Sequence, residues 1–270
     1  MSSTTSSRFS RSQRRRIGLG AQYAILVVVV VVLALVADWG RLNANFARVD
    51  LAREMFPEVL TIALKNTVIF TLTGFALGFV LGLALALMRL SSVAPYRWIA
   101  GVYIEIFRGL PALLIFIFVG VGVPLAFPGT SIPGGTTGKV ALALGLVSAA
   151  YMAETFRAGI QAVPKGQMEA ARSLGMSSGK AMRSIVIPQA FRIIIPPLTN
   201  ELVLLFKDSS LVLFLGVQLG ERELTKFGRD LASTKANITP ILVAGLCYLI
   251  ITVPLGYLVR RLESRNERAR

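Results

Sequence analysis

The chain has 270 residues, 54% of them hydrophobic, and a mean hydropathy of +0.66, too apolar for an ordinary soluble domain. Its formal charge is +15, from 29 Lys and Arg against 14 Asp and Glu. No histidine is present, which excludes imidazole acid–base catalysis and the commonest metal centres, and the single cysteine, Cys247, supports neither a disulfide nor a thiolate metal site. The basic residues lie between and beyond the apolar runs rather than in a stripe interleaved with aromatics, so the charge reads as membrane topology and not as nucleic-acid binding.

In chain order, residues 1–20 are rich in Ser, Thr and Arg and read as a disordered cytoplasmic tail. The Val-rich run 21–37 directly after Arg14-Arg15-Arg16 predicts an extra N-terminal membrane helix. A cleaved signal peptide is the competing reading; the length of the apolar core and the absence of a small residue at Leu35 stand against it. Residues 38–58 mix Asp38, Arg41, Arg48, Asp50, Arg53, Glu54 and Glu58 with Pro57 and predict a short polar connection on the outer side.

Further apolar runs cover 59–88, 98–127, 139–163, 189–217 and 238–259, which makes six membrane helices in an all-α polytopic protein. If the helices alternate, the segments near 1–20, 89–97, 160–190 and 260–270, with flanking Arg157 and Arg192, hold about 18 of the 29 basic residues, against about 7 on the other side. That excess predicts both termini in the cytoplasm, with 263–270 as a short tail. Within the second run, Gly74, Gly78 and Gly82, continued by Ala86, fall on one helix face and invite the close approach of another helix backbone. Glycine is also simply common in membrane helices, so this reading has an ordinary competitor.

A polar, basic stretch of about thirty residues separates the fourth run from the fifth. Pro164 suits a helix start, Gln167 to Leu174 favour helix, and Gly175 suits its end. A second short helix is predicted from Gly179 to Ile187, stopped by Pro188. Met168, Ala171, Leu174 and Met176 would give the first helix a narrow apolar face able to seat in a partner's groove. Alternatively, Lys165, Arg172, Lys180 and Arg183 would hold it on lipid headgroups.

Glu169-Ala170-Ala171, three residues, Gly175, nine residues, Ile185 and then Pro188 resemble the cytoplasmic loop motif of ATP-binding-cassette (ABC) importer permeases. Glu105 to Pro111 (EIFRGLP), Ala153 to Ile160 (AETFRAGI), Pro164 to Gln167 (PKGQ) and Lys207 to Leu211 (KDSSL) are similar to the polar-amino-acid permeases, the histidine/glutamine/arginine importer group. The resemblance covers about 59–262, with the coupling loop at 161–188, and implies a type I, MetI-like core of five helices to which the N-terminal helix is an addition. It further implies docking of the loop, through Gln167, Glu169, Ala170, Ala171, Leu174, Gly175, Ile185 and Pro188, in a separate ATPase subunit that holds ATP and Mg. A second permease subunit, an extracytoplasmic binding protein and alternating access between inward- and outward-facing states complete the implied assembly, in a bacterial inner membrane. No G-x-x-x-x-G-K-[ST] loop is present, so this chain is not itself the ATPase.

Charged residues inside membrane helices are candidates for the transport pathway. Glu201 lies 12 residues into the fifth run, roughly 18 Å at 1.5 Å per residue, near the bilayer midplane. Lys207 and Asp208, beside Ser209, are expected to pair with each other; Glu154 and Arg157 stand one turn apart in the fourth run. Glu154, Asn200, Glu201 and Asp208 suit an ammonium, and Arg157 or Lys207 a carboxylate, as an amino acid requires. The same residues can instead lock helix to helix. Pro196-Pro197 is expected to break the fifth run or kink it at the loop boundary. An ion-coupled secondary transporter using Glu154 or Glu201 is the alternative reading; a membrane enzyme finds no nucleophile–base pair or metal cluster among these helices.

Overall fold

The computed structural model describes the backbone of residues 11–268 and the side chains of residues 18–264. The described residues form helices and no strand, in two compact units, residues 1–48 and 49–270.

In the first unit, α1 (Arg11–Val36) carries a 19-residue apolar stretch, Gly18–Val36, whose side chains are exposed along its length. Residues 11–20 thus belong to a helix rather than to the expected disordered tail; residues 1–10 lie outside the described residues. Asp38 then caps α2 (Trp39–Phe46), its side chain accepting from the Arg41 amide at 2.9 Å. The expected polar connection is therefore helical here, and again at α3 (Val49–Glu54) in the second unit.

A π-helical turn, Val59–Leu64, leads into α4 (Lys65–Leu90). A hairpin connects it to α5 (Ala94–Gly109), and Arg97 closes that hairpin by donating to the carbonyls of Ser91 and Ser92 at 3.0 and 2.6 Å. The run 98–127 is not one helix. It breaks at Leu110-Pro111, where proline caps α6 (Ala112–Ile117), and α6 continues through a π-turn at Phe118–Gly122 into α7 (Val123–Ala126). The two halves are bent by 104°.

After α8 (Gly135–Gln161) come α9 (Lys165–Ser173) and α10 (Ser178–Ala181), and then a π-turn, Met182–Val186, that runs directly into α11 (Ile187–Asp208). The predicted stop at Pro188 is overturned. Pro188 sits in the first turn of α11, where a missing N–H is harmless, and the wide π-turn before it absorbs the ring. Pro196 and Pro197 likewise lie inside an unbroken α11, although Sequence patterning points to a break there. The helix gives way only at Ser209, to a 3-10 segment, Ser209–Leu215. A second 3-10 turn, Leu219–Glu221, precedes α12 (Leu224–Lys235), a helix not foreseen in the segment 219–237, which is expected on the outer side. The last helix, α13 (Thr239–Arg268), extends through most of the expected C-terminal tail.

By length and apolar content α1, α4, α8 and α13 can cross a bilayer, and the bent pair α5/α6–α7 adds a fifth only if its two halves count as one span. The fifth predicted run, α11, carries Arg192, Glu201, Lys207 and Asp208 and falls short of that standard, though its 22 residues reach about 33 Å.

α4 and α8 form the spine of the second unit. Gly74, Gly78 and Gly82 are all buried against α8: a Cβ at Gly74 would stand 2.6 Å from Leu144 Cβ, and one at Gly82 2.9 Å from the Ala149 carbonyl oxygen. Lipid offers no hydrophobic drive to bring helices together, so this close backbone approach, with its many weak dispersion contacts, holds the pair. Phe70, Phe116, Leu144, Met152 and Leu205 fill the core around that seam, and α5 is tied in by the Tyr103 hydroxyl, which donates to the Leu146 carbonyl at 2.8 Å. A smaller cluster, with Met55, Val59, Phe227 and Cys247, joins the π-helical turn at Val59–Leu64 and the residue Met55 before it to α12 and α13. Beside it the fully buried Glu223 carboxylate caps α12. It accepts from the amides of Thr225 and Lys226 at 2.7 and 2.6 Å and from the Tyr248 hydroxyl at 2.6 Å.

Candidate functional site

The hairpin between α8 and α11 is the first feature. Pro164 is the N-cap of α9, with β-region backbone, and Gly175 lies past its end at φ +84°. The Gly175 amide donates to Arg172 O at 3.0 Å and the Met176 amide to Ala171 O at 3.1 Å, the paired bonds of a Schellman terminus. Only a left-handed residue closes that pattern, which is why glycine stands there. Ser177 caps α10 through the Lys180 amide at 3.4 Å.

The apolar face expected of α9 is divided. Ala171 is buried and Met168 packs on the main core, beside a depression of about 430 Å³ lined by Ile160, Val163, Pro164, Met182 and Val186. Leu174, in contrast, is 85% exposed. Gln167, Glu169 and Ala170 are exposed with it. Helical phase explains the split: Met168 and Ala171 are three apart and share a stripe, while Leu174 is the C-cap, where the chain has left the helix. The free face of α9 is thus polar with one projecting leucine. Ile185 lies in the π-turn and is half-buried; Pro188 is exposed in the first turn of α11.

The second feature lies where the α5–α6 break meets α8 and α11. Glu201 and Asp208, seven residues apart and so on one face of α11, line a depression of about 220 Å³ together with Leu110, Tyr151 and Leu204. The Arg108 guanidinium stands 5.7 Å from the centre of the Tyr151 ring. Tyr151 was absent from the sequence candidates; an aromatic one turn before Glu154 was the available signal.

The other candidates are placed elsewhere. Asn200 is exposed and does not line this depression, because neighbouring helix positions point about 100° apart. The same geometry keeps Lys207 from Asp208: no ion pair joins them, Lys207 is exposed, and the expected pairing fails. Ser209 is buried, with its hydroxyl donating to Phe206 O at 2.7 Å where α11 gives way to 3-10 helix. Glu154 and Arg157 pair with each other at 2.6 Å, and Arg157 also donates to Gln161 Oε1 at 2.7 Å. Both partners are on α8, so the pair stiffens one helix rather than joining two.

The family model of "Binding-protein-dependent transport system inner membrane component" matches residues 78–268, well over half of the chain and including both features. The chain belongs to that family. The permease is 39% identical over 204 residues to the Bacillus subtilis "Probable glutamine ABC transporter permease protein GlnM", covering 76% of this chain and 91% of the relative. It is 37% identical over 208 residues to the "Arginine transport system permease protein ArtQ" of the same organism, covering 77% and 90%. Among solved structures, an amino acid ABC transporter crystallised with histidines superposes with a TM-score of 0.69 at 34% identity, covering 78% of this permease and 95% of that chain. The permease is therefore a multi-pass, inner-membrane transport subunit and not an enzyme, and the ion-coupled alternative is not favoured.

Proposed function

We propose that this permease is the membrane subunit of an ATP-driven importer of polar amino acids of the glutamine, glutamate, arginine and histidine class. A separate ATPase grips the exposed face of α9 through Gln167, Glu169, Ala170 and Leu174, and the Gly175 turn with Ile185 and Pro188 transmits its motion to α11. The continuous run from α10 through the π-turn into α11 supports this role, because a force on the hairpin reaches Glu201 along one rod. Residues 59–262 form the transmembrane domain, 21–58 are an addition to it, and both termini face the ATPase side.

The observation that carries the substrate reading is the depression lined by Glu201 and Asp208 beside the α5–α6 break. Two carboxylates on one face of α11, Glu201 near mid-membrane and Asp208 about 10 Å further along the helix, suit an ammonium or guanidinium. Its 220 Å³ is below the roughly 300–1,000 Å³ of complete small-molecule pockets, consistent with half a pathway whose remainder comes from a second permease subunit. The test is reconstitution with the cognate ATPase and binding protein: ATP-dependent uptake of arginine or glutamine into vesicles is expected, and uptake without ATP would overturn the proposal.

A further inference from the structure

We infer that α2 lies in the lipid headgroup layer at the face where α1 leaves the bilayer, held there by Trp39, Leu42 and Phe46. The 19 apolar residues of α1 span about 28 Å, close to the thickness of the hydrocarbon core, and end at Val36. The helix breaks at once, and Asp38, two residues past that boundary, restarts it. At 100° per residue, Trp39, Leu42 and Phe46 fall within an arc of about 60°, while Gly40, Arg41, Asn43, Ala44 and Asn45 occupy the rest of the turn. All three apolar side chains are exposed, and no residue of α2 is buried.

Lipid is the occupant that fits. The patch continues directly from a helix with no buried residue in its spanning stretch, and it is too narrow, with Arg41 and Asn45 on the opposite face, for the helix to enter the hydrocarbon. The Trp39 indole N–H donates to the Ala34 carbonyl at 2.8 Å, satisfying a last-turn carbonyl of α1 just where water is scarce. That bond leaves the ring face free for the headgroup boundary, the depth at which tryptophan concentrates. The Arg41–Asp38 ion pair at 3.1 Å and the Asn45 amide, which donates to Arg41 O at 2.8 Å, stand on the wet side.

With two tryptophans in the chain, Trp98→Phe leaves Trp39 as the only reporter. The full-length protein in phosphatidylglycerol/phosphatidylcholine vesicles should show blue-shifted Trp39 emission, quenched more by lipids brominated near the headgroup than by lipids brominated near the chain end. Replacing Leu42 and Phe46 with asparagine and serine should shift that emission to the red. Quenching by aqueous iodide alone, strongest quenching by the deep bromines, or an emission unmoved by the double replacement would each overturn the inference. Val27→Trp in a Trp39→Phe/Trp98→Phe background reports α1 itself: deep quenching is expected, and its absence would locate the failure in α1.

Discussion

Glu201 and Asp208 stand two turns apart on α11 and line one depression, yet neither joins an ion pair among the described residues. Both side chains are only half-buried, and the depression they share lies beside the break between α5 and α6. If a cationic substrate fills it, Glu201→Gln and Asp208→Asn should each remove a charge-assisted hydrogen bond of about 1.5–3 kcal/mol, or roughly a tenfold or greater loss in uptake. Initial-rate uptake of arginine and glutamine by the reconstituted importer checks this. Unchanged uptake of both substrates would overturn that reading.

Gly175 occupies the left-handed region at φ +84°. A β-branched residue resists that conformation at a cost on the order of 1–2 kcal/mol, enough to disorder a surface turn held by two hydrogen bonds. Gly175→Val should therefore leave the partner ATPase hydrolysing ATP while uptake falls, and Gly175→Asn should be much milder because asparagine tolerates αL. Normal uptake by the valine variant would mean that this turn transmits nothing.

The close seam between α4 and α8 predicts a matched pair of effects. A Cβ at Gly78 would collide with the Ser148 hydroxyl, so Gly78→Ala should destabilise the permease by about 1–3 kcal/mol as overpacked cores do. Ser148→Ala removes the obstructing oxygen and should recover part of that loss in the double variant. Thermal denaturation of the four proteins in one detergent measures the coupling, and strict additivity would contradict the contact.

Much of this architecture is legible in the chain itself. The Gly74/Gly78/Gly82 spacing fixes a helix face whatever its partner, and Gly175 requires φ > 0 at a position where the helical pattern ends, so both were readable from residue type. Hydropathy runs, by contrast, record burial in lipid and not straightness. They merged the halves of 98–127 across Leu110-Pro111, whose geometry turns the chain by 104°. Pro188, Pro196 and Pro197 misled in the opposite direction, since a helix tolerates proline where a π-turn or neighbouring helices relieve the backbone. The depression lined by Glu201 and Asp208 of α11, Tyr151 of α8 and Leu110 at the α5–α6 break draws on three places far apart in sequence, and no local pattern assembles it.

Glu223 offers a pH-dependent check on the packing of α12 against α13. Burial pushes its carboxyl above the ordinary value, while the Tyr248 hydroxyl and the amides of Thr225 and Lys226 pull it partly back. A carboxyl raised on folding adds stability that is fully present below the unfolded-state value and lost as pH rises through the folded-state value. The permease should accordingly become more stable as pH is lowered from neutrality towards the ordinary carboxyl range, and Glu223→Gln should flatten that slope. Tyr248→Phe should steepen it, because one of the bonds favouring the charged form is gone, and should cost about 1–3 kcal/mol near neutral pH. Cys247, the chain's single cysteine, is buried in the same cluster as Leu224 and Phe227 and is a built-in reporter. Its labelling by a thiol-reactive fluorophore on heating, followed across pH, reads the melting of this region. A midpoint with the same pH slope in wild type and Glu223→Gln would show that the buried carboxylate does not set it.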